Sequence, residues 1–176
     1  IYFGQEVGEA GAIDGGFGKP SRTSIFDYVG VPNHQRWMNG GKFDGGQLSD
    51  SEKQLRDFYS RLLNFTTKSS ALMGSFADLQ KANRETTTGY DPGIYAFARW
   101  SAQQKLVVVA NCSWVTQSHF DLKVPAEVIA QWKLKDGTYL LKDQLYQKQT
   151  TELKVSDGVG SMHVTIQPSE SFIFGF

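Results

Sequence analysis

Cys112 is the only cysteine in 176 residues, so no disulfide can close within the chain. It follows the apolar run Val107-Val108-Val109-Ala110, where a thiol is expected to be buried and inert. Neither sign of charge is in excess. The 18 Lys and Arg balance the 18 Asp and Glu, which leaves no electrostatic ground for nucleic acid or an anionic membrane as partner. No apolar run approaches the ~18 residues of a membrane span, and no signal sequence opens the chain, which therefore reads as soluble. His34, His119 and His163 are scattered without ligand spacing, so no metal site is expected. The glycine-rich stretches Gly4–Gly8 and Gly15–Gly18 have no Walker lysine and no strand–GxGxxG–helix context, so no cofactor is expected. The absence of a nucleophile-elbow sequence removes Ser-His-Asp catalysis.

Aromatic residues, by contrast, are abundant at 13% of the chain. Large rings fill β-sandwich cores, and they also stack on sugars; the core explanation is the stronger prior. The length suits one domain, or one domain with part of another. Most of the glycines fall between Gly4 and Gly46, a long loop of the kind that tends to be functional. Asn33, after Pro32, reads as a turn residue within it. The clearest helix follows. Ser49 and Glu52 form a capping box, and Leu55, Phe58, Tyr59, Leu62 and Leu63 make one apolar stripe. Leu48 stands ready to staple the first turns.

From about Ala71 the chain reads as all-β. Strands are expected at Ile94–Trp100, Lys105–Cys112, Ser118–Val124, Thr138–Asp143, Thr151–Val155, Ser161–Ile166 and Ser171–Phe176. Apolar residues of both parities in Ile94–Trp100 predict a strand covered on both faces. Asp136-Gly137 and Asp157-Gly158 supply turns, Ser101–Gln104 a hairpin connection, and Ala126–Ile129 a helical turn. Short strands at this spacing point to an antiparallel sandwich.

Ile1-Tyr2-Phe3-Gly4-Gln5-Glu6 resembles the eighth barrel strand of the α-amylase family of glycoside hydrolases, whose pattern there is close to IYYGQE. The resemblance continues through Arg22–Tyr28, Trp37-Met38-Asn39 and Phe58–Leu63, and covers residues 1–65 with fairly specific motifs. It implies a C-terminal piece of such an enzyme. The expected fold is mainly β: a Greek-key-like β-sandwich over residues 71–176, preceded by the end of a (β/α)₈ barrel (last strand, active-site loop and last helix) over residues 1–70.

In this family a retaining pair of carboxylates, held about 5 Å apart, lies at the ends of the fourth and fifth barrel strands, with a third aspartate after the seventh. All three precede the motif at Ile1–Glu6, so no catalytic residue is assigned in this chain. Asn33-His34-Gln35 departs from the family's NHD pattern at Gln35 and lies on the wrong side of Ile1–Glu6. The resemblance implies that Arg22, and less closely Asp14, contact glucose units of an α-glucan, and that Glu6 with Gln5 supports the barrel and its loops. The plainest parent is an amylase-like hydrolase, with a branching enzyme or glucanotransferase as the runner-up. The β-rich tail would stabilise the barrel. Two other readings remain: a starch-binding module using two coplanar exposed rings among Trp100, Trp114, Trp132 and Tyr139, and a stand-alone interaction domain. The apolar Ile1–Phe3 segment and helix stripe further predict self-association or a rearranged N-terminal segment.

Overall fold

A computed structural model describes residues 1–11, 13–14, 20–22 and 31–176. The chain divides into two units, Ile1–Asn64 and Phe65–Phe176.

In the first unit the segment expected as a barrel strand is a turn. A 3₁₀ turn spans Gln5–Val7 between Gly4 and Gly8, both left-handed at φ 75° and 69°. The backbone donors find local acceptors: Gln5 N–H to Tyr2 O at 3.1 Å, Val7 N–H to Gly4 O at 3.2 Å and Glu9 N–H to Gly4 O at 2.9 Å. The two glycines supply the left-handed backbone that the turn needs at either end. A Cβ at Gly4 would stand 2.6 Å from Glu9 Cβ. The unit continues with a short antiparallel ribbon, β1 (Ile13–Asp14) and β2 (Pro20–Arg22), then helix α1 (Pro32–Met38) and most of helix α2 (Asp50–Lys68), which runs on past the division at Asn64. Pro32 opens α1, where its missing N–H costs nothing, so Asn33 is helical rather than a turn residue. The capping box of α2 forms as expected: Ser49 N–H donates to Glu52 Oε2 at 2.8 Å, and Glu52 N–H to Ser49 Oγ at 3.4 Å. Leu48 is buried.

The second unit carries eight strands, with three helical segments that include α3 (Gln80–Thr86) and α4 (Ala126–Trp132). The strands are β3 (Ser75–Asp78), β4 (Ile94–Trp100), β5 (Lys105–Asn111), β6 (Ser118–Val124), β7 (Gly137–Asp143), β8 (Thr150–Ser156), β9 (Val159–Ile166) and β10 (Ser171–Gly175). They form one antiparallel sheet in the order β3-β4-β5-β10-β7-β8-β9-β6. The hairpin-linked β7, β8 and β9, with β6 returning beside β9, make a Greek key. The sheet curls so that inward residues from both halves share one core, including Ile94, Val107, Leu122, Leu153, Val164 and Phe174. This is the all-β sandwich the sequence predicts.

Local chemistry explains the strand ends. Asp157 and Gly158 have φ of 52° and 73°, as a two-residue hairpin between β8 and β9 requires. The Asp136 carboxylate accepts from both of their amides, at 3.1 and 3.3 Å. Inward positions of β9 are Gly160, Met162, Val164 and Ile166, in strict alternation. Gly160 leaves room for its neighbours: a Cβ there would lie 2.9 Å from Ile129 Cδ1 on α4 and from Leu153 Cδ1, so both side-chain ends would have to move.

Three further expectations are corrected. The strand β4 is covered on one face only: Ile94, Ala96 and Ala98 are fully buried, while Tyr95 on the other parity is 42% exposed. Cys112 lies one residue beyond β5 and is exposed rather than buried. Residues 75–86, read as part of an all-β region, include the helix α3.

Candidate functional site

The long glycine-rich segment is where the sequence places its substrate contacts. The ribbon pairs Ile13 with Arg22 and Asp14 with Pro20, with an irregularity between Ile13 and Asp14. Asp14 and Arg22 therefore sit on facing strands in adjoining register positions. Residues 23–30, which include Asp27 and Tyr28, lie outside the described residues.

Gln5 and Glu6 sit in the 3₁₀ turn. Gln5 Oε1 accepts from Tyr2 N–H at 3.0 Å, and the Glu6 carboxylate faces Arg56 of α2 at 3.8 Å. The Arg56 guanidinium also lies over the Trp37 ring, 4.6 Å from its centroid.

Holding this turn is a network that sequence reading missed. Asn33 Nδ2 donates to Val7 O at 3.0 Å and Gly8 O at 2.8 Å. His34 N–H donates to Glu9 Oε2 at 3.0 Å, and the Phe3 ring stacks on the imidazole at 4.5 Å. Arg36 then joins Asn33 Oδ1 to both carboxylate oxygens of Glu52. The only local signal was Pro32 as a helix opener. The partners of Asn33 lie about 25 residues away, beyond the reach of periodicity.

Hydrogen bonding from Arg36, reinforced by the Ser49 amide, lowers the Glu52 pKa to about 2. Glu52 is thus an ionised anchor and cannot donate a proton near neutrality. Its folded pKa lies below the ordinary 4.5, so its stabilising contribution is present above 4.5 and is lost as the pH falls through about 2. Trp37, one residue along α1, should report this loss. Its fluorescence is expected to shift between about pH 4.5 and 2, and Glu52→Gln should remove that acid limb. An identical limb in the variant would assign the transition to other carboxylates.

In the second unit the outward face of the sheet has two characters. Over β6–β9–β8–β7 it is a polar groove of about 540 Å³, lined among others by Asp121, Leu140, Glu152, Lys154, His163 and Thr165. His163 Nδ1 lies 2.9 Å from Asp121 Oδ1, its cross-strand partner. No aromatic residue lines this groove among the described residues. Over β3–β4 the same face is aromatic: Phe76 and Tyr95 flank Phe97 with ring centroids 5.7 and 5.5 Å apart. Phe76 and Tyr95 are each about half exposed, and Arg99 lies over Phe76.

The two-ring stacking platform is not assembled by its four candidates. Trp132 is buried, Trp100 and Tyr139 pack against the core, and the Trp100 and Trp132 planes cross at 74°. Trp114 alone is open, at 88% exposure. Among the described residues no cluster of three or more His, Cys, Asp or Glu is placed to hold a metal ion, and no helix is long and apolar enough to cross a membrane.

Comparison with known proteins fits this architecture. The structure resembles a noncanonic maltogenic alpha-amylase from Thermotoga neapolitana at 11% identity and a TM-score of 0.51, over 73% of this chain and 27% of that one. It also resembles an Anoxybacillus alpha-amylase (17% identity, TM-score 0.47, 77% of this chain and 25% of that one). A third likeness is to AmyP in complex with maltotriose (15% identity, TM-score 0.48, 74% and 22%). The chain spans about a quarter of the length of these solved structures. No curated protein matches it. The family model described as alpha amylase, C-terminal all-beta domain, matches residues 88–175, half of the chain. On that match and the Greek-key sheet, the chain belongs to the family of alpha-amylase C-terminal all-beta domains.

Proposed function

We propose that this chain is the C-terminal portion of an α-glucan-processing glycoside hydrolase, and that its all-β unit holds the catalytic barrel rather than performing chemistry. The observation that carries this reading is the half-exposed aromatic patch of Phe76, Tyr95 and Phe97 on a sheet whose other outward half is polar. Such a patch favours a protein neighbour over water. The retaining carboxylate pair would come from the barrel segments that precede Ile1–Glu6 in the family. Hydrolysis is the plainest activity for the parent; branching or glucan transfer is the alternative, since upstream loops set that choice.

Within the first unit, Arg22 and Asp14 would contact glucose units. A guanidinium fork and a carboxylate suit vicinal hydroxyls, and the two residues lie on the facing strands of one ribbon. Glu6 and Gln5 would brace the loop, through Arg56 and the Tyr2 amide. In the full enzyme, Arg22→Ala should raise KM for maltodextrin about tenfold with kcat little changed. An unaltered KM would remove Arg22 from the site.

The test of the stabilising role is Tyr95→Asp, made both in this chain and in the full enzyme. The isolated chain should lose only what the Tyr95–Phe97 contact and an aspartate in a strand cost it, about 1 kcal/mol, whereas the full enzyme should lose several degrees of Tm more. Equal behaviour in both contexts would count against a barrel-facing patch. This chain alone should release no reducing sugar from soluble starch; hydrolysis would overturn the reading. Exposed Ile1, Tyr2 and Phe43 support self-association of the isolated chain, and a strictly monomeric sedimentation profile would argue otherwise.

A further inference from the structure

The turn that follows α1 is closed by the side chain of Asn39. Asn39 Nδ2 donates to Asp44 Oδ1 at 2.7 Å, and Asp44 Oδ1 also accepts from Gly46 N–H at 2.8 Å. These bonds, that from Asn39 foremost, hold the Asp44 carboxyl below its ordinary range. Inside the turn, Phe43 N–H donates to Met38 O and Gly45 N–H to Trp37 O, each at 3.0 Å. Asn39 ends α1 in the left-handed region at φ 46° and ψ 50°, and Gly40 follows at φ 65°. Two such residues in succession select Asn and Gly, which adopt this backbone at least cost.

The pair that the turn selects is also chemically labile. The Gly40 amide nitrogen can attack Asn39 Cγ, because glycine has no Cβ to hinder the approach. The new N–C bond closes a five-membered succinimide while the Cγ–Nδ2 bond breaks. Solvent hydroxide takes the proton from Gly40 N, and Nδ2 takes one from water and leaves as ammonia. Water then opens the ring at either carbonyl, leaving aspartate or isoaspartate in place of Asn39. Ring closure requires rotation about ψ of Asn39. Gly40 to Asp44 are all exposed, and a Cβ placed at Gly40 would meet nothing within 4 Å, so no packed neighbour opposes that rotation. Asn39–Gly40 is the one Asn–Gly pair in the sequence. Asp–Gly pairs carry ionised carboxylates near neutrality, which are poor electrophiles. At two of them the attacking N–H is also engaged: Gly45 donates to Trp37 O, and Gly158 to Asp136 Oδ1 at 3.3 Å.

We infer that Asn39 is a site of spontaneous deamidation whose product opens the turn that Asn39 and Asp44 close. An aspartate there sets a second carboxylate where Asp44 now finds a donor, and like charges so close repel. Isoaspartate also adds a backbone carbon to a tight turn. The inference concerns this chain alone and does not rest on the glucan reading. When the full 176-residue chain is aged in warm, mildly alkaline buffer, peptide mass mapping should show the amide-to-acid mass gain at Asn39. Asn33, Asn64, Asn83 and Asn111 should still be amides, and isoaspartyl methyltransferase should label the Asn39 peptide. Asn39→Asp should speed amide exchange at Phe43 and Gly45 by about tenfold. Adding Asp44→Asn should restore the slow exchange, since a donor again faces an acceptor. An Asn39 that keeps its amide while a short peptide of residues 36–42 converts would overturn the modification site. Unchanged exchange at Phe43 and Gly45 in Asn39→Asp would overturn the opening of the turn.

Discussion

Phe174→Ala is expected to destabilise the all-β unit by about 3–5 kcal/mol. Phe174 is 1% exposed on β10, the strand between β5 and β7 in the middle of the sheet. Its backbone faces Val107 on one side and Asp143 on the other, so the ring is enclosed by strands that cannot collapse independently. Truncation removes the transfer free energy of the ring and leaves a cavity. Against the roughly 5–15 kcal/mol of a whole domain, this is a large fraction. Urea unfolding should show a lower midpoint at unchanged slope, and Phe174→Leu should recover most of the loss. A change below about 1 kcal/mol would mean that β10 does not hold the core together.

Asn83→Ala should cost about 2–4 kcal/mol, far more than its size suggests. The side chain is fully buried on α3 and behaves as a missing strand for β6. β6 ends the sheet order, with β9 as its one neighbouring strand. On the open edge, Asn83 Nδ2 donates to Lys123 O at 2.9 Å and Asn83 Oδ1 accepts from Lys123 N–H at 2.8 Å. The same amide donates to Leu79 O at 2.7 Å, and the carbonyl accepts from Thr87 Oγ1 at 2.8 Å. Removing it leaves the two part-buried Lys123 backbone groups without this partner, and an unmade hydrogen bond there costs desolvation. Hydrogen exchange at the Lys123 amide should accelerate with the loss of stability. Asn83→Asp should be worse than Ala, because it keeps the acceptors, loses both donors and buries a charge. A variant that melts like the parent, with an unchanged Lys123 amide, would show that water replaces the side chain and that the edge needs no cover.

These two residues also mark how far the sequence could be read. Phe174 was legible: Phe172, Phe174 and Phe176 alternate with Ile173 and Gly175, and alternation is a property of one strand alone. The same holds for β9, for the Asp157-Gly158 hairpin, and for the capping box of α2. Each depends on residues within a few positions of one another. Asn83 was not legible, since its role depends on a strand 40 residues later. The Asn33–Arg36–Glu52 network escaped for the same reason.

Where both parities were apolar, the pattern misled. Ile94–Trp100 carries small aliphatic residues on one face and Tyr95 and Phe97 on the other, and hydrophobicity alone does not say which face meets the core. The folded sheet decides it by curvature: Ile94, Ala96 and Ala98 turn inward and the rings turn out. Cys112 was placed by the apolar run before it, yet β5 stops at Asn111, whose side chain turns in to tie the Trp114 loop. Ile1–Glu6 has the composition of a buried strand, but its backbone donors bond to carbonyls a few residues away in a turn.

The sequence by itself determined the strands and helices with clear local signals, the turn residues between them, and the family motif that set Asp14 and Arg22 forward as substrate contacts. Tertiary structure alone decided which face of β4 is open, which of the candidate rings stands free, and which polar side chains finish an edge or pin a loop. Local choices are made by steric and hydrogen-bonding rules that act over a few residues. Exposure and polar partnership are settled only when distant segments meet and compete for the same surface.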